Sequence, residues 1–135
     1  MRGPGQTFRK GYRGSSNDDI WLANADGSAV RRLTDFNGQD GSPMWSPDGR
    51  KLYYVSEVNG NPANVVCQEF DSAAQPVGKP RSVTNHREDA VRHARISGNG
   101  DWIVYENGGD LWIAATRDGQ ARKLAVEVHA DEKAN

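Results

Sequence analysis

Two turn-and-strand passages recur along this chain at a fixed spacing, and that recurrence limits the folds open to it more than any other feature. Ser46-Pro47-Asp48-Gly49 leads into Leu52-Tyr53-Tyr54-Val55, and Ser97-Gly98-Asn99-Gly100 leads into Trp102-Ile103-Val104-Tyr105. Residues 46 and 97 are 51 apart, as are Tyr54 and Tyr105. A second series pairs Asp19-Ile20-Trp21 with Asp110-Leu111-Trp112, and Leu33 with Leu124, at a separation of 91. Repeats of about 40 to 50 residues have the length of one four-stranded propeller blade.

The strand-like runs are short and heavily punctuated. Ile20 to Ala23 stops at Asp26-Gly27, a hairpin dipeptide, and Val30 to Thr34 follows. Ser42 to Trp45 is extended, Pro47-Asp48-Gly49 turns the chain into Lys51 to Glu57, and Asn64 to Phe70 follows the turn at Asn59 to Pro62. A polar loop is expected over Asp71 to Lys79, before a strand at Arg81 to Thr84. The second cycle reads Ala94–Ser97, Trp102–Glu106, Leu111–Thr116 and Ala121–Val128. No segment sustains a 3.6-residue apolar period, so almost no helix is expected. The spacing predicts an all-β chain: a partial β-propeller of about two and a half four-stranded antiparallel blades. The divisions are an N-terminal segment at 1–17 with one strand within Thr7 to Gly14, a partial blade at 18–41, a complete blade with its connecting loop at 42–92, a second complete blade at 93–128, and a polar tail at 129–135.

Composition agrees with short, half-buried strands. Hydrophobic residues make up 36% of the chain and glycine is abundant, as expected where apolar side chains take alternate positions and tight turns join them. The recurring Trp21/Trp112 and Tyr54/Tyr105 positions supply bulk for wedges between neighbouring blades. Seventeen basic against eighteen acidic residues leave a net charge of −1, without the clustered basic surface of a nucleic-acid binder. Arg31-Arg32 and Arg122-Lys123 read as the wet face of outer strands. Cys67 is the single cysteine, so no internal disulfide forms, and in Val65-Val66-Cys67 it reads as a small buried hydrophobe. No apolar run approaches the ~20 residues of a spanning helix, and Met1 to Lys10 lacks the apolar centre of a signal peptide. The compartment is left open between cytoplasm and periplasm.

Pro43-Met44-Trp45-Ser46-Pro47-Asp48-Gly49-Arg50-Lys51-Leu52-Tyr53-Tyr54-Val55-Ser56 resembles the WD-like repeat of TolB-type propellers. Gly11-Tyr12-Arg13-Gly14, Asp19-Ile20-Trp21, Arg32-Leu33-Thr34 and Pro43-Met44-Trp45 together resemble the N-terminal six-bladed propeller of tricorn-type serine proteases. Gly108-Gly109-Asp110-Leu111-Trp112 with Ala121 to Leu124 resembles that propeller's closing blades, and Val126 to Val128 the strand leaving it. The resemblance implies a propeller that admits, filters or releases peptides beside a proteolytic chamber. Its partners would be a peptide or protein, together with the remaining blades and downstream protease domains of a longer parent. The alternative is a TolB-like periplasmic propeller that docks proteins and processes nothing. Two and a half blades leave broad apolar faces without neighbours, so the chain is either a piece of a longer ring or a unit whose copies close one.

No catalytic residue is expected. The Gly-x-Ser-x-Gly elbow is absent, and Gly14-Ser15-Ser16 and Gly41-Ser42-Pro43 punctuate loops. Gly3-Pro4-Gly5 lacks the strand and helix that would make it a phosphate loop, and Asp18, Asp19, Asp35 and Asp40 form no recognisable acid/base pair. His86, His93 and His129, with Glu88 and Asp89, lack the spacing of a zinc site, so neither metal nor cofactor is expected. The candidate functional surface is a rim formed by the loops entering each blade's first strand, Asn37 to Ser42 and Asn85 to Arg92. There Asp40, Arg87, Asp89 and Arg92 are placed to meet a peptide.

Overall fold

The computed structural model describes residues 7–8, 19–34, 40–60 and 62–125. The Gly11 to Gly14, Ser15-Ser16, Asp18, Asp35, Val126 to Val128 and His129 readings, and the polar tail, lie outside the described residues, and only the backbone of Asp40 is described. Eleven strands and no helix occur among them, arranged as three antiparallel sheets. β1 (Thr7–Phe8), β2 (Asp19–Leu22) and β3 (Arg31–Arg32) make the first blade. β4 (Asp40–Trp45), β5 (Lys51–Ser56), β6 (Asn64–Phe70) and β7 (Pro76–Ser82) make the second, and β8 (Arg92–Ile96), β9 (Trp102–Asn107), β10 (Asp110–Ala115) and β11 (Ala121–Lys123) the third.

The repeat seen in the sequence is reproduced bond by bond. In the turn between first and second strands, the Ser46 hydroxyl donates to Asp48 Oδ1 at 2.6 Å and that of Ser97 to Asn99 Oδ1 at 2.8 Å. The same oxygens accept from Arg50 N and Asp101 N, both at 3.0 Å. Gly49 and Gly100 close the turns at φ 73° and 80°, where a residue without Cβ is at ease. At the far edge, Leu33 N, Val83 N and Leu124 N each donate to the carbonyl of Ile20, Val65 and Leu111 at 2.8 Å. The Arg32–Asp19 and Lys123–Asp110 ion pairs, at 3.1 and 3.6 Å, repeat across β2/β3 and β10/β11.

Because side chains alternate along a strand, each blade presents two faces and the middle blade buries both. Leu52, Tyr54, Val66 and Phe70 pack against Ile20 and Leu22 of the first blade. Tyr53, Val55, Val65 and Cys67 pack against Ala94, Ile103, Tyr105 and Ala114 of the third. Cys67 is 1% exposed, and burial pushes its thiol pKa up, so it stays protonated and acts as the small hydrophobe expected from its context. The face of the third blade away from the second is different. Val104, Leu111 and Ile113 correspond to Tyr53, Val65 and Cys67; Leu111 is 39% exposed where Val65 is fully buried.

Several strand boundaries differ from expectation; β4 and β8 start two residues early, so Asp40 and Arg92 lie in strands and not in the entering loops. Pro76 to Lys79 is not loop but the first half of β7, whose residues are nearly all exposed. Proline and lysine tolerate this outermost edge because no further strand needs their N–H groups. The buried Gln68 side chain fills the irregularity in register, donating from Nε2 to the carbonyls of Glu69, Val77 and Gly78. β11 covers Ala121–Lys123 only; Leu124 and Ala125 lie beyond it, with Leu124 N still bonded to the Leu111 carbonyl of β10.

Candidate functional site

The three sheets fan outward from one side. β4 contacts both β2 and β8, whereas the last strands β7 and β11 make no contact with each other. First strands therefore lie towards the axis of the fan, and last strands on its circumference.

On that axial side β4 and β8 carry the same irregularity. Register shifts between Gly41 and Met44 opposite β5, and between Arg92 and Arg95 opposite β9. Within each bulge one non-glycine residue is left-handed, Ser42 at φ 53° and His93 at φ 55°, and these two positions are again 51 apart. Such residues hold a conformation that costs about 1–2 kcal/mol and bend the strand away from its partner. The sequence reading missed both, since neither is the glycine or asparagine that signals positive φ. Their shared repeat position was the available clue.

The bulges open a cavity of about 530 Å³ lined by Ser42, Glu57, Arg92 and His93 over Val55 and Val91. Of the predicted rim, Asp89 and Arg92 come together in an adjoining polar depression with Glu106 and Asn107. Asp40 starts β4 opposite Ser56. Arg87 stands apart, over a third recess beside Asn59, Asn64 and Thr84. The rim is thus one continuous recess for Asp89 and Arg92, with Arg87 on separate ground.

Its loop is pinned rather than free. Asn64 Oδ1 accepts from Thr84 Oγ1 and His86 N, both at 2.8 Å, while its Nδ2 donates to the His86 carbonyl at 3.0 Å. Val91 N donates to the Ala63 carbonyl at 3.0 Å, and Asn107 Nδ2 to the Asp89 carbonyl at 2.7 Å. His86 sits under the loop between blades: Nε2 is 2.7 Å from Tyr105 Oη, and its ring stands edge-on to Trp112 at 4.7 Å. Desolvation lowers the His86 pKa, and burial pushes Tyr105 up to about 12, so both are neutral at physiological pH. Among the described residues no group of three His, Cys, Asp or Glu converges on a point. On the outer strand β3, the Arg31 guanidinium reaches the second blade and donates to the Ala74 carbonyl.

No family model matches the chain. It is 50% identical over 92 residues to the Tol-Pal system protein TolB of Anaeromyxobacter dehalogenans strain 2CP-C, covering 67% of this chain and 20% of that protein. It is 23% identical over 132 residues to the tricorn protease homolog of Saccharolobus solfataricus, covering 92% of this chain and 11% of that one. The crystal structure of the tricorn protease superposes on 84% of the chain with a TM-score of 0.59 at 23% identity. The chain spans between a tenth and a fifth of the length of these curated relatives. Repeat, topology and likeness agree that the described blades are part of a β-propeller of the TolB/tricorn type.

Proposed function

We propose that this chain is a non-catalytic recognition segment of a longer propeller, taking an extended peptide at the axial rim. The observation that carries this reading is the doubled bulge at Ser42 and His93. It holds two strand edges open around a cavity lined by Glu57 and Arg92, and the adjoining depression adds Asp89 from the pinned loop. Edge strands with free backbone groups are suited to main-chain recognition, and charged side chains beside them select termini or polar residues. Asp40 starts β4 beside this rim, and Arg87 lines the separate recess with Asn59 and Asn64.

In a tricorn-like serine peptidase this segment gates peptides on their way to a catalytic region elsewhere in the parent. The near-complete span of the tricorn homolog match and the structural superposition support that setting. A second setting, a TolB-like interaction propeller, is favoured by the higher identity over two thirds of the chain. Both place further blades against the open face of the third.

Titrating the chain with a fluorescent library of unstructured peptides, by anisotropy, tests the shared reading. Arg92→Glu is expected to weaken the best binder by about tenfold, the value of one charge-assisted contact. Equal binding by the variant, or cleavage of the peptides by this chain, would overturn it. Reading the gene beyond codon 135 separates the two settings: a PDZ-like module and serine peptidase domain mark the first, their lack the second.

A further inference from the structure

A second cavity opens between the first and second blades at the opposite end of the strands from the rim. It encloses about 350 Å³, within the size range of small-molecule and side-chain pockets. Its floor is Leu22, Trp45 and Phe70; one wall is the β2–β3 turn with Ala29 and Arg31, the other the β6–β7 turn with Ala74 and Gln75.

The third blade lacks this floor. Position 45 corresponds to Ile96, and position 70 to Thr116, since Phe70 N bonds the Arg50 carbonyl as Thr116 N bonds that of Asp101. In the second blade both sites carry rings, 5.2 Å apart and tilted by 51°. Phe70 is 5% exposed, but Trp45 is left 41% exposed over the cavity. An indole of that exposure leaves apolar area in water that a second ring could cover.

Both walls are preset. Asp71 Oδ1 accepts from Ala73 N and Gln75 N at 2.9 Å, and Asp26 Oδ1 accepts from Ser28 N at 2.9 Å. Arg31 spans the walls through Ala74, and no carboxylate among the described residues pairs with it. A guanidinium carries five N–H donors in a planar fork, so the bond to Ala74 leaves donors for a further acceptor at this wall of the cavity.

We propose that this cavity is a binding site for an aromatic group bearing a carboxylate, the ring covering Trp45 and Phe70 and the carboxylate meeting Arg31. A free aromatic acid and the C-terminal aromatic residue of a peptide share this chemistry. The site is remote from the axial rim and independent of any peptide bound there.

The test titrates the full chain with N-acetyl-L-phenylalanine, its amide, and the peptide Gly-Gly-Gly-Phe, following amide shifts of Ala29, Arg31, Ala74 and Gln75 by NMR. The acid is expected to give saturable shifts and to bind about tenfold more tightly than the amide. Tighter binding of the tetrapeptide than of the acetylated acid assigns the site to peptide termini; the reverse assigns it to free acids. Trp45→Leu is expected to abolish the shifts, and Arg31→Gln to bring the acid down to the affinity of the amide. No saturation at these amides, or equal affinity of acid and amide for the unmodified chain, overturns the proposal without recourse to any variant.

Discussion

Pro47 of the second blade rests on Gly100 of the third, at a distance that leaves no room for a Cβ between them. The two residues belong to equivalent turns, so the contact is made by one repeat unit on the next. Gly49, the counterpart of Gly100, has a similar φ of 73° but open space around it. The pair separates two costs of adding a methyl group. Gly49→Ala is expected to lose about 1 kcal/mol, the strain of a left-handed alanine. Gly100→Ala adds displacement of a proline ring and is expected to lose about 2–3 kcal/mol. Urea unfolding of both variants decides the matter, and equal losses would show that the blades are not in register through this contact.

The same two turns differ in one atom type that matters to acid. Asp48 and Asn99 do the same job, but only Asp48 is ionised. The Ser46 hydroxyl, and then the Arg50 N–H, hold its carboxyl below the usual value of 3.8. A depressed carboxylate pKa contributes stability that is complete above the unfolded value and fades as pH falls through the folded one. Asp48→Asn is therefore expected to flatten the loss of stability below about pH 4 while leaving neutral-pH unfolding nearly unchanged. An unaltered acid limb in the variant would show that Asp48 contributes nothing to it.

These turns were legible in the sequence because their chemistry is local: serine, Asp or Asn, and glycine at fixed offsets describe one hydrogen-bond pattern. The recurring Trp21/Trp112 and Tyr54/Tyr105 positions likewise marked equivalent places in successive blades. What stayed hidden depends on contacts between distant segments. Pro76 to Lys79 reads as loop until Gln68 reaches across to its carbonyls. Ser42 and His93 carry no residue signal for left-handed backbone, and only the bulge opposite β5 and β9 requires it. For the rim, sequence grouped Arg87 with Asp89 and Arg92, whereas Asp89 and Arg92 share one depression and Arg87 lines another with Asn64, a division set by the packing of the loop and not by its composition.

His86 links the rim loop to the blade interface, and its protonation is expected to weaken that link. Desolvation disfavours the imidazolium, so the folded pKa lies below the ordinary 6.5. Stability from the neutral ring is complete above pH 6.5 and declines as pH falls below it. Tyr105→Phe removes the 2.7 Å partner and is expected to lose about 1 kcal/mol at pH 7.5. Chemical unfolding of wild type and His86→Asn at pH 7.5 and 5.5 reads the titration directly. The wild type is expected to lose more stability than the variant on acidification, and parallel losses would remove His86 from the account.

The uncovered face of the third blade gives the sharpest contrast between equivalent positions. Val65 is fully buried against the third blade, while Leu111, its repeat counterpart, is 39% exposed on the outer face. If that face awaits a neighbour, a charge placed there costs little in this chain alone. Leu111→Asp is expected to change unfolding by no more than about 0.5 kcal/mol and to raise solubility by interrupting the apolar surface. Val65→Asp buries an uncompensated carboxylate and is expected to cost more than about 3 kcal/mol. Sedimentation of the Leu111→Asp chain adds the decisive reading: if self-association uses this face, the wild type forms larger species and the variant does not. Strong destabilisation by Leu111→Asp would mean that the face is already covered within the chain, and that the third blade needs no successor.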